Sequence, residues 1–310
     1  MHTVLVTGGA GFVPSHLCDL LVRKGHRVLI MDNFLTGRRE NIQHLLDGAN
    51  VEVRELDVSE PFTVSEPLGA VLHLASPASP IDYLKYPLET MKVGSAGTWN
   101  ALEVARQHGA RFVMASTSES YGDPLVHPQA EGYWGNVNPV GPRSVYDEAK
   151  RFSEALTMAF RRTHGVNTGI VRIFNTFGPR MRTDDGRAIP AFISQALRGE
   201  PITVAGDGSQ TRSLCFVQDL VDGIYACMQS DHEGPINLGN PHELTMLELA
   251  AWIRELTGSS SEITFIDAPI DDPKLRRPDI TLAGDVLAWK PQVPIERGLR
   301  ETIEWFRTVV

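Results

Sequence analysis

The chain has 310 residues, 42% of them hydrophobic and 22% charged, with a formal net charge of −9. That length and balance suit one large α/β unit, or a nucleotide-binding domain with a smaller appendage, and allow a sizeable core. The acidic total argues against nucleic acid as a partner, although a few local arginines still permit an anionic ligand. Cys18, Cys215 and Cys227 are widely spaced, odd in number and form no metal-type cluster. A cytoplasmic protein without a metal is therefore expected. The chain enters a strand within two residues, which leaves no room for a signal peptide. No apolar run approaches the ~18 residues of a membrane span, so no membrane partner is expected.

In chain order, Thr3 to Val6 is a short β-prone run, followed by the turn Gly8-Gly9-Ala10-Gly11. Phe12 to Lys24 carries apolar residues at helical spacing, and Gly25 stops it. Arg27 to Met31 is a second buried strand ending at Asp32. Val51 to Arg54, Ala70 to Leu74, Arg111 to Ala115 and Gly169 to Ile173 continue the strand series. Thr98 to His108 and Val145 to His164 have helical patterns between them. Alternating strands and helices predict a Rossmann-type, doubly wound parallel sheet covered on both faces. After Gly178 proline, arginine and short mixed segments become frequent, with helical patterns at Ala188 to Gly199 and Met246 to Leu256. We expect an NAD-binding domain over residues 1–178, which the chain rejoins near 214–230, and a smaller substrate-binding lobe over 179–310. A ligand should then lie between the lobes, beyond the carboxyl ends of the strands.

Gly8 and Gly11, after a strand and before a helix, form a phosphate-binding turn. Glycine lets backbone N–H groups approach a pyrophosphate, and the helix presents its positive end to the same anion. Asp32 at the end of the next strand can accept from ribose hydroxyls and would repel a 2′-phosphate, which favours NAD over NADP. Arg38 and Arg39 nearby temper that preference. Asp57, after the third strand, can reach the adenine. Position 14 carries proline where a third glycine is expected. Proline is tolerated in a helix's first turn, but its ring is expected to hold the helix off the strand and loosen NAD binding.

Tyr146 and Lys150 are four apart on the same helix face. An ammonium beside a phenol favours the phenolate, which makes Tyr146 a candidate base for an alcohol. Alone, the pair is also what a charged surface helix produces. The upstream glycine turn and the run Ser116-Thr117-Ser118 after a strand favour hydride chemistry, with Thr117 orienting the alcohol. His73, on an apolar strand, reads as a satisfied core histidine.

These parts resemble the extended short-chain dehydrogenases. Five further segments resemble the UDP-glucuronate decarboxylases (UDP-xylose synthases) within that family. They are His73 to Pro80, Thr117-Ser118-Glu119 with Tyr121 to Pro124, Arg172 to Met181, Gly208 to Arg212, and Asp271-Asp272-Pro273 through Arg276 to Asp279. The resemblance runs nearly end to end. It implies oxidation at C4 of UDP-glucuronate with Tyr146 as base, loss of carbon dioxide, protonation at C5 and re-reduction to UDP-xylose. Sugar dehydratases carry an Asp where this chain has Ser118, to protonate a departing hydroxyl. A uronate has none to lose, so an uncharged serine fits.

The resemblance also implies site residues. Glu119 and Arg276 match the remaining catalytic positions. NAD is expected along Gly8, Gly11, Phe12, Val13, Asp32, Asn33, Arg38, Asp57, Val58 and Leu74, with Tyr146 and Lys150. Asn175, Gln210 and Arg212 are expected at the UDP part, helped by Arg180 and Arg187. Tyr83 and Arg276 are expected near the sugar. Gly94 stands where the family usually has Asn, and Ala205 where it usually has a Tyr beside the uridine. The smaller residue at 205 removes stacking worth roughly 1 kcal/mol. Weakened retention of ligands could release some UDP-4-keto-xylose. A 4,6-dehydratase, a 4-epimerase and a non-catalytic NAD sensor are the competing assignments. Homodimers are expected through Thr98 to His108 and Val145 to His164.

Overall fold

The computed structural model describes residues 2–267 and 275–310, so Asp271, Asp272 and Pro273 of the last resembling segment lie outside the described residues. The chain opens with β1 (Thr3–Thr7), α1 (Phe12–Arg23), β2 (Arg27–Asp32), β3 (Val51–Glu55) and β4 (Leu68–His73). There follow α2 (Pro80–Lys85), α3 (Pro87–Lys92), α4 (Thr98–His108), β5 (Arg111–Thr117), α5 (Ser144–His164), β6 (Thr168–Ile173) and β7 (Thr176–Phe177). The remainder is α6 (Ala188–Arg198), β8 (Ile202–Ala205), β9 (Thr211–Ser213), β10 (Cys215–Phe216), α7 (Val217–Gln229) and β11 (Pro235–Leu238). It ends with β12 (Glu243–Thr245), α8 (Met246–Thr257), β13 (Ile263–Ile266), α9 (Thr281–Leu287) and α10 (Ile295–Phe306).

Seven parallel strands form the central sheet in the order β11-β6-β5-β4-β1-β2-β3. The side-chain period of 2 explains why it is buried on both faces. Val4 and Val6 of β1 point into one layer with Leu17 and Leu21 of α1. Leu5 points into the other with Ala101, Leu102 and Ala105 of α4. Each such aliphatic contributes about 1.5–3 kcal/mol by leaving water. Gly109, Gly165 and Gly199 end α4, α5 and α6 in left-handed backbone, at φ 59°, 67° and 69°.

Beyond β7 the chain builds the short pairs β8–β13 and β9–β12 beside α6 and α8. Between them, β10 pairs with β7, α7 packs on α1, and β11 joins the sheet next to β6. The strand order reverses between β1 and β4, because β1 leads to β2 on one side while β4 continues to β5 on the other. A crevice opens at the carboxyl ends of strands at such a reversal.

A π turn at Val93–Gly97 joins α3 to α4 and contains Gly94. A Cβ at Gly94 would lie 2.8 Å from the Ala149 Cβ and 3.1 Å from its carbonyl oxygen on α5. Ser153 of α5 donates to the Gly94 carbonyl at 2.7 Å. The missing side chain thus lets α5, the helix of Tyr146, sit close. Gly94→Asn is expected to cost about 1–3 kcal/mol of stability by overpacking. Adding Ala149→Gly should restore much of it. Thermal unfolding of the two single variants and the double checks this, and strictly additive losses would show that the two residues share no space.

Candidate active site

The crevice is a cleft of about 610 Å³ that brings together nearly every residue singled out in the sequence. Its floor is set where β1 meets β4. Thr7 Oγ1 lies 2.9 Å from His73 Nδ1, and the Ala75 amide donates to Thr7 Oγ1 at 3.3 Å. Gly8 adopts φ 70°, and a Cβ there would fall 2.7 Å from the Ala75 Cα. Only glycine satisfies both demands. His73 is buried with its other nitrogen 3.2 Å from Thr98 Oγ1, as a core histidine should be.

Gly11 caps α1 without a side-chain bond, so the first-turn amides of Phe12 and Val13 are open to a ligand in the cleft they line. That is the donor set a pyrophosphate needs. Pro14 is the third helical residue, where its missing N–H removes no helix bond. The first helical bond forms normally, from the Ser15 amide to the Gly11 carbonyl at 3.1 Å. The ring is buried in the cleft lining, against Gly11. Pro14 is thus part of the cleft lining beside the glycine turn.

Asp32 lines the cleft and accepts from the Ala10 amide at 2.9 Å and the Phe34 amide at 2.8 Å. Each carboxylate oxygen keeps a second lone pair for a ligand hydroxyl. Burial raises its pKa against those two hydrogen bonds. Asn33, Asp57, Val58 and Leu74 line the same end. Arg38 does not. Its guanidinium turns to Asp184 at 3.5 Å, while its amide holds the Ala10 carbonyl at 3.0 Å. Arg180 reaches the lining, but its guanidinium pairs with Asp19 at 2.8 Å, because the left-handed turn at this residue (φ 69°) directs it back to α1.

At the other end β5 delivers Thr117, Ser118 and Glu119, and the first turn of α5 delivers Tyr146 and Lys150. The Tyr146 phenol is hydrogen-bonded to Thr117. Lys150 Nζ lies 5.8 Å from the Tyr146 ring centre and donates to the Ala115 carbonyl at 2.9 Å. Burial governs both residues. It raises the Tyr146 phenol above its ordinary range, against the Thr117 bond. It lowers Lys150 to about 8, against the pull of Glu154. The expected lowering of the tyrosine is therefore not seen, because desolvation by burial outweighs the Thr117 interaction that favours the phenolate. Tyr83 stacks on Tyr146 with ring centres 5.1 Å apart at 10°. Its buried hydroxyl has no hydrogen-bond partner among the described residues.

Arg276 arrives from far along the chain and is 4% exposed. It pairs with Glu119 Oε1, donates to the Gly122 carbonyl at 3.0 Å and reaches Ser118 Oγ at 3.5 Å. Arg143, which the sequence reading passed over, donates to Glu119 Oε2 at 2.8 Å. Burial opposes the Glu119 charge, but Arg276 and Arg143 outweigh it and hold the carboxyl down at about 2. Asn175, Arg187, Gln210 and Arg212 line the same cleft with Ala205. Gln210 donates to the Ala205 carbonyl at 2.8 Å, and Arg187 pairs with Asp185. Missed as well were the part-buried pair Arg182–Asp82, at 2.8 Å, and the buried Asp147 next to Tyr146 in the chain.

Residues 4–239 match the NAD dependent epimerase/dehydratase family. The chain belongs to that family. Its cofactor is therefore NAD, whose pyrophosphate suits the glycine turn and open helix end. The chain is 50% identical over 304 residues to UDP-glucuronic acid decarboxylase 1 of Xenopus tropicalis, covering 98% of this chain and 72% of that one. It is 49% identical over 305 residues to UDP-glucuronic acid decarboxylase 5 of Arabidopsis thaliana, covering 98% and 89%. Among solved structures of the family, UDP-glucuronic acid 4-epimerase of Bacillus cereus, in complex with UDP-glucuronic acid and NAD, superposes with a TM-score of 0.88. That match has 25% identity and covers 99% of this chain and 100% of that one.

Asp147 supplies a pH test. Burial, reinforced by Glu119, raises its pKa from 3.8 to about 7. The fold holds a proton that the unfolded chain releases near pH 4. This contribution to stability is present below pH 4 and lost as pH rises towards 7. Asp147→Asn lacks the titration. Its stability relative to the parent should rise by roughly 3 kcal/mol between pH 4 and 8. Denaturant unfolding across that range checks this, and parallel pH curves would contradict it.

Proposed function

We propose that this protein converts UDP-glucuronate to UDP-xylose and carbon dioxide, with NAD retained and no net redox change. The observation that carries this is the junction of Ser118, Glu119 and Arg276 beside Tyr146 in one cleft, in a chain half identical to UDP-glucuronic acid decarboxylases.

Bound NAD supplies the hydride acceptor, and finally the donor, at sugar C4. Tyr146 Oη takes the C4 hydroxyl proton, and Thr117 orients that hydroxyl. The C4 ketone leaves the C5 carboxylate β to a carbonyl. The C5–C6 bond breaks, carbon dioxide departs, and the electron pair passes into an enolate whose oxygen the Tyr146 phenol can hydrogen-bond. Ser118 adds no anion that would repel the uronate. Glu119 fixes Arg276, and Arg276 orients the solvent water whose O–H bond breaks to give C5 its proton. Tyr146 returns its proton to the C4 oxygen as the alcohol re-forms. Lys150 anchors the pair from behind.

In this assignment Gly8, Gly11, Phe12, Val13, Asp32, Asn33, Asp57, Val58 and Leu74 hold the cofactor. Residues 179–310 mainly hold the nucleotide sugar, with Asn175, Gln210, Arg212 and Arg187 at the UDP part and Tyr83 at the sugar. The small residue at 205 favours escape of some UDP-4-keto-xylose. The protein is assigned to the cytoplasm as a homodimer through α4 and α5, whose Trp99 and Phe152 are 50% and 51% exposed. No helix among the described residues is long and apolar enough to cross a membrane.

Separate incubations with UDP-glucuronate and UDP-glucose test the proposal. Carbon dioxide and UDP-xylose should form from the first, with no turnover of the second. Turnover of UDP-glucose alone would point to an epimerase or dehydratase. Tyr146→Phe should lower the rate by about 10²–10⁴-fold. An unchanged rate would remove Tyr146 from the chemistry.

A further inference from the structure

We infer that Gln129 is a positioning residue for Arg276, and that through Arg276 it governs turnover. This rests on the decarboxylase assignment and names what holds one of its catalytic groups in place.

Arg276 lies outside the helices and strands, between β13 and α9, so no regular element sets its position. Its guanidinium is gripped by Glu119 and the Gly122 carbonyl. A long side chain held at its tip still needs its backbone fixed, and Gln129 does that. The Gln129 amide donates to the Arg277 carbonyl at 2.9 Å, and its side-chain Oε1 accepts from the Arg277 amide at 2.9 Å. Its carbonyl accepts from the Asp279 amide at 2.8 Å. Three bonds from one residue therefore fix the stretch that follows Arg276 directly. Gln129 Nε2 donates to the Val126 carbonyl at 2.8 Å, which sets the orientation of the side-chain amide.

Gln129 is tied in turn to the loop that carries Ser118 and Glu119. Asn237 of β11 donates from Nδ2 to the Gln129 carbonyl at 2.9 Å and to the Asp279 carbonyl at 3.0 Å. Its Oδ1 accepts from the Tyr121 hydroxyl at 2.8 Å, and Tyr121 stands two residues after Glu119 in one short turn. The contacts close a ring from Glu119 through Tyr121, Asn237, Gln129 and Arg277 to Arg276, and back to Glu119. Gln129 and Asn237 are both 0% exposed, and both side-chain amides are paired at oxygen and nitrogen. A buried polar network satisfied in this way favours a single arrangement. Gln129 itself lies outside the cleft lining, whereas Arg276 is part of it. Loss of the Gln129 side-chain amide would leave the buried Arg277 amide without its acceptor and shift the backbone next to Arg276. A displacement of about 1 Å at a group that serves the reaction costs on the order of 10²-fold in rate.

A double-mutant cycle on the NAD-loaded enzyme tests this. The rate constant kcat and KM for the UDP-sugar are measured for the parent, Gln129→Met, Arg276→Lys and the double variant. Gln129→Met should lower kcat by about 10- to 100-fold and leave KM within about 3-fold. With Arg276→Lys already present, whose ammonium cannot form the same fork, Gln129→Met should lower kcat by less than about 3-fold. Equal losses of kcat in the two backgrounds would make Gln129 a general structural prop and overturn the inference. An unchanged kcat in Gln129→Met, or a loss confined to KM, would overturn it as well. If Gln129→Met does not fold, Gln129→Asn, one methylene too short to reach the Arg277 amide, takes its place in the same cycle. Carbon dioxide release by the parent reports separately on the decarboxylase assignment. The cycle is read on whichever UDP-sugar the parent turns over, so either idea can fail while the other stands.

Discussion

Glu119 is held between Arg143 and Arg276, and three distant parts of the chain meet at that carboxylate. It follows the end of β5, Arg143 leads into α5, and Arg276 lies 157 residues after Glu119 itself. A buried carboxylate is tolerable only when paired, and the pairing here keeps Glu119 ionised at every physiological pH. The wall of the cleft therefore depends on one ion cluster. Losing either arginine would leave Glu119 with one partner instead of two, whereas losing Glu119 would leave two cations facing each other.

The helix that begins at this cluster carries the reacting pair. Burial pushes Tyr146 towards the neutral phenol and Lys150 towards the neutral amine. The Lys150 ammonium is tied to the Ala115 carbonyl at the end of β5. The pair is thus a proton reservoir whose state responds to whatever charge enters the cleft. That suits a reaction in which a proton leaves the C4 oxygen and later returns to it. A net oxidation would need only the first half.

Elements with strong local signals could be read from the sequence. The helix of Tyr146 and Lys150 was expected to start at Val145 and starts at Ser144, because its apolar face repeats over several turns. The strands β1, β2, β4, β5 and β6 are apolar runs bounded by turn residues. β11 was not recognised, since Pro235–Leu238 is four residues long and gains its place only by pairing with β6. The site was legible where a motif has fixed spacing, as at Gly8, Thr117 and Lys150. Arg143 stands in a Pro-Arg-Ser junction with no periodic signal, and its importance arises from Glu119, 24 residues earlier. The pKa direction of Tyr146 differs from the expected one for a related reason. Adjacency on a helix is visible in sequence, but the desolvation that outweighs it is a property of the packed fold.

The central claim is that the hydride taken from C4 goes back to the same carbon. The most direct measurement uses UDP-glucuronate deuterated at C4, with mass analysis of the UDP-xylose formed in excess unlabelled NAD. Retention of the deuterium at C4 is expected. UDP-xylose that has lost the label, with deuterium appearing in free NADH, would contradict a borrowed and returned hydride.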